Sequence, residues 1–336
     1  MKLLAGLSLL VFLCWFVWKV ARRTYRRVFF KKLVDKHTSN DASASLAALM
    51  DAASSGDAIQ FGGLANRAPM QEFREFQARA DLASLSDLLD EFVRNYPQEA
   101  RSHYLLGVHF IRKGWAARGV GYLDTVTEAG AQEFSESIAQ AERALLQAVE
   151  LDGEFVDAYE QLLIVYRAKN DRKEAERLFN AAKYKFPKHI GIHHRMVILL
   201  TSRWLGSDRE ALEFAQTHSA ADSSGELACL IPLAYFENWI GTDGGPKSTY
   251  FKDKLIRVKL IESFKRFCSS DNLSKENSQA RLDALQYYAC IFNLSEDKKF
   301  AKKAFKAMNG QYSEAAWTTW NEPKEKFVKS KWAAGA

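Results

Sequence analysis

Residues 154–187 read EFVDAYEQLLIVYRAKNDRKEAERLFNAAKYKFP, and they decide the fold. Large apolar side chains recur three and four apart on both sides of a break at Asn170, the spacing that lines one face of a helix. The first run carries Tyr159, Leu162, Leu163 and Tyr166; the second carries Ala175, Phe179 and Ala182 and stops at Pro187. Ala175 and Ala182 let the second helix approach the first closely, while Tyr159, Leu162 and Phe179 fill the seam between them. One such pair cannot bury both of its faces, so packed neighbours are required.

The neighbours are legible. Ala141, Leu145, Ala148 and Gly153 stand 34 residues before Ala175, Phe179, Ala182 and Pro187. Their first helix is displaced: His103, Leu106, Gly107 and Phe110 keep the internal spacing, but an insertion of 22 residues separates them from Ala141, near 114–135. Downstream, His193, Met196, Val197 and Leu200 open a third unit. Its second helix, with Ala211, Phe214 and Ala215, starts late because of Arg203-Trp204-Leu205-Gly206-Ser207. The period and the signature positions resemble the tetratricopeptide repeat, with Leu163 standing where that repeat usually has glycine.

A second resemblance rests on Trp115-Ala-Ala-Arg118-Gly119, the Ala/Leu-rich helices after it, and Arg203-Trp204-x-Gly206-Ser207 followed by Glu210-Ala-Leu-Glu-Phe-Ala215. Over about residues 70–290 the chain resembles the bacterial domain-of-unknown-function family 4034. That family usually has two glycines after the Arg-Trp, and Leu205 replaces the first here. The resemblance implies a bacterial, helical, repeat-like domain and no activity. Its motif positions are Trp115, Arg118, Gly119, Arg203, Trp204, Gly206 and Ser207.

In a tetratricopeptide superhelix the first helix of each pair lines a concave groove. Register places Arg101, Tyr104, Arg112, Glu160, Arg167 and His194 there. Arginine forks grip carboxylates in two-point fashion and tyrosine anchors a peptide at small entropic cost, so the expected partner is a protein or peptide segment bearing a carboxylate.

The remaining chain sorts around this body. No segment sustains two-residue alternation, and the runs 225–240, 250–267, 279–293 and 297–308 read as further packing helices. Ser84, Ser274 and Ser295 stand ahead of helical runs as candidate N-caps. Residues 38–69, rich in Ser, Ala and Gly, read as a linker. The expected organisation is an anchor and basic flank over 1–37, the linker, repeats over 70–222, and packing helices and a tail over 223–336.

The formal charge of +6 is unevenly placed. Residues 1–36 hold nine basic side chains and one acid, leaving 38 basic and 40 acidic groups in the rest. A near-neutral body lacks the footprint of a nucleic-acid binder. Leu3 to Trp18 is uncharged, and 3–21 would span ~28 Å as a helix, enough for a bilayer. Seven Lys/Arg over 19–32 follow it, against Lys2 before it, which predicts an inner-membrane anchor with the body cytoplasmic and the flank on anionic lipid. The fold expected is therefore all-α: a single transmembrane helix, then a tetratricopeptide-like α-solenoid with packing helices.

Chemical signatures are weaker. His189, His193 and His194 lack the Glu of a His-Glu-x-x-His zinc helix. Gly241–Thr249 imitates a phosphate loop, but Pro246 removes an N–H that such a loop needs. No cofactor or metal is expected. The functional expectation is a membrane-anchored repeat scaffold, with a hydrolase built on Arg118, Arg203 and His194 as the alternative.

Overall fold

The computed structural model describes residues 43–119, 125–242, 249–269 and 278–336. Among them the chain forms fifteen α-helices and three short 3-10 turns, with no strand. The all-α class expected from periodicity holds. The described residues fall into two compact units, one drawn mainly from Asp41–Asp243 and the other from Gly244–Cys268 and Ser278–Ala336.

The larger unit begins where a linker was expected. From Ser43 onward the stretch folds into α1 (Ala44–Ser55) and α2 (Ala58–Arg67). The Ser43 and Asp57 side chains accept from backbone N–H groups of the first turns, and Gly56 ends α1 at φ 77°. Leu46, Leu49, Phe61 and Ala65 are fully or almost fully buried. Few large residues suffice here because alanines let the backbones approach. Next come α3 (Met70–Arg79), α4 (Ser86–Asn95) and a long hairpin, α5 (Ala100–Arg118) with α6 (Glu128–Leu151). The expected insertion is largely helical: α5 runs on to Arg118, α6 starts at Glu128, and residues 120–124 are outside the described set.

Then follow α7 (Val156–Ala168) and α8 (Arg172–Lys185), α9 (Ile190–Leu199) and α10 (Asp208–Ala221), and α11 (Leu230–Gly241). The boundary at Asn170 is a left-handed residue, φ 59°, that turns the chain from α7 into α8. Asp171 and Ser207 cap α8 and α10. Every position of the 154–187 pattern from Tyr159 to Ala182 is buried. Successive helix pairs pack on their neighbours, an arrangement compatible with a solenoid.

The smaller unit contains α12 (Lys254–Cys268), α13 (Ser278–Leu294), α14 (Lys298–Ala307) and α15 (Pro323–Ala333). α15 lies in the stretch expected as a tail. Its Phe327 is buried against Phe305, Tyr312 and Trp317, which docks the helix with Lys324 and Lys329 exposed and Lys326 and Lys331 half-buried. Two caps also fall elsewhere than expected. Ser84 lies in a 3-10 turn and donates to the Asp81 carbonyl, and Asp297, not Ser295, caps α14. Ser274 lies outside the described residues.

The transmembrane element of the expected fold, and the inner-membrane localisation drawn from it, are corrected. Among the described residues no helix is long and apolar enough to cross a membrane. The stretch 3–21 and the flank 19–32 lie outside those residues. The physical reason is plain in the helices that are described. The long ones, α5 and α6, are interrupted by charges, at Arg101, Arg112, Lys113 and Arg118 in α5, while the most apolar, α11, has 12 residues, about 18 Å.

Candidate functional site

The candidate site is the face formed by α5, α7 and α9, the first helix of each pair. Its N-terminal half is occupied by the chain itself. α3 lies against α5 with Phe73 and Phe76 fully buried, Phe73 packing on the rings of Tyr104 and Phe155. Burial of two such rings is worth ~3–6 kcal/mol. Polar groups then fix the helix in place. Arg101 donates to the carbonyls of Ala65 and Ala68 at 2.6 and 2.7 Å and stacks on Phe73. Arg112 donates to the carbonyls of Ala80 and Gln77. Those carbonyls lie at or near the C-terminal ends of α2 and α3, where backbone acceptors lack helical partners and favour cations. The Tyr104 hydroxyl donates to Gln77 at 2.6 Å, and Arg74 of α3 makes a two-point ion pair with Asp157 of α7 at 2.7 and 2.8 Å. Three of the expected partner-binding residues therefore hold internal helices, Arg101 the end of α2 and Tyr104 and Arg112 α3.

The C-terminal half is differently furnished. Glu160 faces α9, 3.5 Å from His189 Nδ1 and 3.7 Å from Arg195 Nε. Gly191 makes this approach possible, since a Cβ there would collide with the Glu160 carboxylate. Arg167, in the last turn of α7, stacks over Trp204 with its guanidinium carbon 4.3 Å from the ring centroid. Its Nε is sealed from solvent without a hydrogen-bond partner. Burial, with the charges of Arg195 and Arg203, lowers the Arg167 pKa to about 10. The same forces act on His194: burial and the charges of Arg195 and Arg167 bring its pKa down to about 3, so the imidazole is neutral at physiological pH.

The residues of the two short motifs converge here. Trp115 and Arg118 end α5, with Gly119 closing it at φ 75°. Arg203, Trp204 and Gly206 form the α9–α10 loop, and Ser207 caps α10. Trp115 meets Trp204 edge to face at 6.0 Å, so the extended hairpin reaches the Arg-Trp loop. Arg118 stacks on Trp115, and Arg203 pairs with Glu237 of α11, a buried carboxyl whose pKa burial raises. Gly206 is required by the loop itself, because a Cβ would come within 2.5 Å of the Leu200 carbonyl oxygen. Arg172 fastens the loop from α8, donating to the Leu205 carbonyl and to Glu210.

Three members of this arrangement escaped the sequence reading. Arg195 and Arg74 occupy ordinary helical positions without a motif. Glu237 did carry a signal, as the single charged residue in LIPLAYFENWIG.

The groups named for hydrolysis are poorly set for acid–base chemistry. A histidine with a pKa near 3 is a poor general base. The nearby loop hydroxyls are engaged: Thr201 with the Ile198 carbonyl, Ser202 with Asp208, and Ser207 with the start of α10. On the opposite side, His193 lies among Phe179, Phe214 and His218, away from the face that carries His194. Among the described residues no group of three or more His, Cys, Asp or Glu is placed to hold a metal ion. No family model and no curated protein matches the chain; the two family resemblances rest on the quoted motifs alone.

Proposed function

We propose that the chain is a helical-repeat binding module, and that the C-terminal half of the α5–α7–α9 face takes a segment of a protein or peptide partner. The observation that carries this reading is the way the N-terminal half treats α3. Rings bury two phenylalanines, the Arg112 fork and one ion pair fix the helix lengthwise, and Arg101 holds the end of α2 just before it. A surface that grips one segment in this way has the chemistry to grip another where it continues. Past Asp157 it continues with Ile164, Arg167, His194 and Ile198, all half-buried. Half-burial leaves apolar area available without the aggregation hazard of a fully exposed patch. The tetratricopeptide resemblance assigns the same face to ligands.

Site-specific crosslinking tests the proposal. A photoreactive phenylalanine analogue replaces Ile198 on this face in one version of the full chain. In another it replaces Tyr184, which is 90% exposed on α8. Discrete adducts from position 198 and none from 184 are expected. Adducts from 184 alone, or from neither position, would sink the groove assignment.

A further inference from the structure

The charges around Arg167 do not balance. Arg195 and Arg203 both bear on Arg167, opposed in part by the carboxylate of Glu237. Two carboxylates answer them: Glu237 pairs with Arg203, and Glu160 lies beside Arg195 at 3.7 Å. Among the described residues Arg167 has neither an ion pair nor a hydrogen bond, only the face of Trp204, and its Nε is sealed from solvent. Arg167 as a whole is half-buried, but a sealed guanidinium N–H without an acceptor is costly, since buried polar groups are almost always satisfied. Two partial compensations exist. A cation over an indole gains roughly 0.5–2 kcal/mol, and the C-terminal end of α7 contributes a fraction of a negative charge. Neither accepts the hydrogen bonds of a guanidinium fork. An apolar side chain would fill the same place on Trp204 without the desolvation cost.

We infer that Arg167, backed by Trp204 and flanked by Arg195, is a binding site for a single carboxylate of the segment held on this face. The inference rests on the proposed function and names the chemistry of its ligand. The charge count selects a monoanion: one positive charge is in excess, whereas a phosphate brings close to two negative charges at neutral pH. Geometry points the same way, because a planar guanidinium pairs with a planar carboxylate through two parallel hydrogen bonds. The aromatic face behind it fixes the plane of the fork in advance, which lowers the cost of ordering it on binding. Carboxylates of two sources fit, an Asp/Glu side chain and a chain terminus.

The test uses the full-length chain with acetate, inorganic phosphate and two short peptides as probes. In chloride buffer Arg167→Met should raise the melting temperature by roughly 2–4 °C, as expected when a binding residue is held at the expense of stability. Replacing chloride by acetate at constant ionic strength should raise the wild-type melting temperature and leave that of Arg167→Met unchanged. On the wild type, acetate should shift the Arg167 Nε–H resonance. Phosphate at equal concentration should shift it less. Acetyl-Ala-Glu-Ala-amide and acetyl-Ala-Ala-Ala-OH then separate the sources, the stronger binder identifying side chain or terminus.

A lower melting temperature for Arg167→Met in chloride would make the arginine a structural strut and overturn the site. So would an Nε–H resonance that ignores acetate and both peptides, and a preference for phosphate would overturn the choice of carboxylate. Each of these measurements is independent of the crosslinks at position 198, so the site and the groove can fail separately.

Discussion

The two halves of the α5–α7–α9 face use the same side chains to different ends. In the N-terminal half, Arg74, Arg101 and Arg112 each reach a carboxylate or a pair of backbone carbonyls, and the surface is closed by α3. In the C-terminal half, Arg167 has the matching outlook from α7 but finds only an indole. Repeat register alone therefore does not separate a strut from a ligand contact. The difference lies in what packs opposite: α3 supplies Phe73, Phe76 and Gln77 over α5, and its polar grips stop at Arg74 on Asp157.

The most forceful way to break the contrast is to undock α3. Phe73 is fully buried between Tyr104 and Phe155, so Phe73→Ala should cost about 3–5 kcal/mol, read as a lower denaturant midpoint. Hydrogen exchange should localise the loss to α3 and α5 and leave α9 and α10 protected. A uniform loss of protection would show that the two halves unfold as one body and that the contrast is only cosmetic.

Acid should act on the other half. His193, His194 and His218, on α9 and α10, have pKa values lowered to about 4, 3 and 4, chiefly by burial. His193 has rings of Phe179, Phe214 and His218 around it and feels the charge of Lys183; among the described residues no carboxylate stabilises its charged form. The sign follows from proton counting. The unfolded chain takes up protons below its ordinary value near 6.5, and the folded chain does not until about pH 4. Stability is therefore fully present above pH 6.5 and is lost as pH falls through that window. For the enclosed His193 the loss is about 2 kcal/mol at pH 5. Exchange at pH 5 against pH 7 should expose α9 and α10 before α3 and α5, and His193→Gln should flatten the slope. Equal acid sensitivity in both halves would remove the imidazoles as its cause.

Much of this was legible in the sequence, and the gaps have physical causes. The 154–187 pattern places its helices because packing at Ala175, Phe179 and Ala182 is dictated by neighbours one turn away, information that is local. The helices after residue 225 are legible for the same reason. The occupant of the groove is not local: α3 meets α5 and α7 from far along the chain, and MQEFREFQAR shows an amphipathic helix without showing what it covers. The expected linker became two helices because Ala-rich segments pack by backbone approach, which hydrophobic spacing underestimates. The meeting of Trp115 with Trp204, and the deficit of one carboxylate beside Arg167, are tertiary facts that no spacing rule encodes. The family resemblance implied no role for any of its motif residues.

The smallest change sharpens the comparison most narrowly. Ser207 closes the loop that carries Arg203 and Trp204: its hydroxyl accepts from the Glu210 N–H at 3.2 Å and begins α10. Ser207→Ala removes that cap and should cost about 1 kcal/mol. The loop keeps its other ties, from Arg172 to Leu205 and Glu210, so the fold should survive with α10 fraying at its start. The informative readout is Trp204. If the loop holds the indole under Arg167, loosening it should broaden the Arg167 Nε–H resonance and weaken its response to acetate by more than the stability loss alone explains. The resonances of Arg101 and Arg112, held by α2 and α3, should stay where they are. Parallel changes in all three would mean that the caps of α10 serve the whole face and that Trp204 has no particular hold on Arg167.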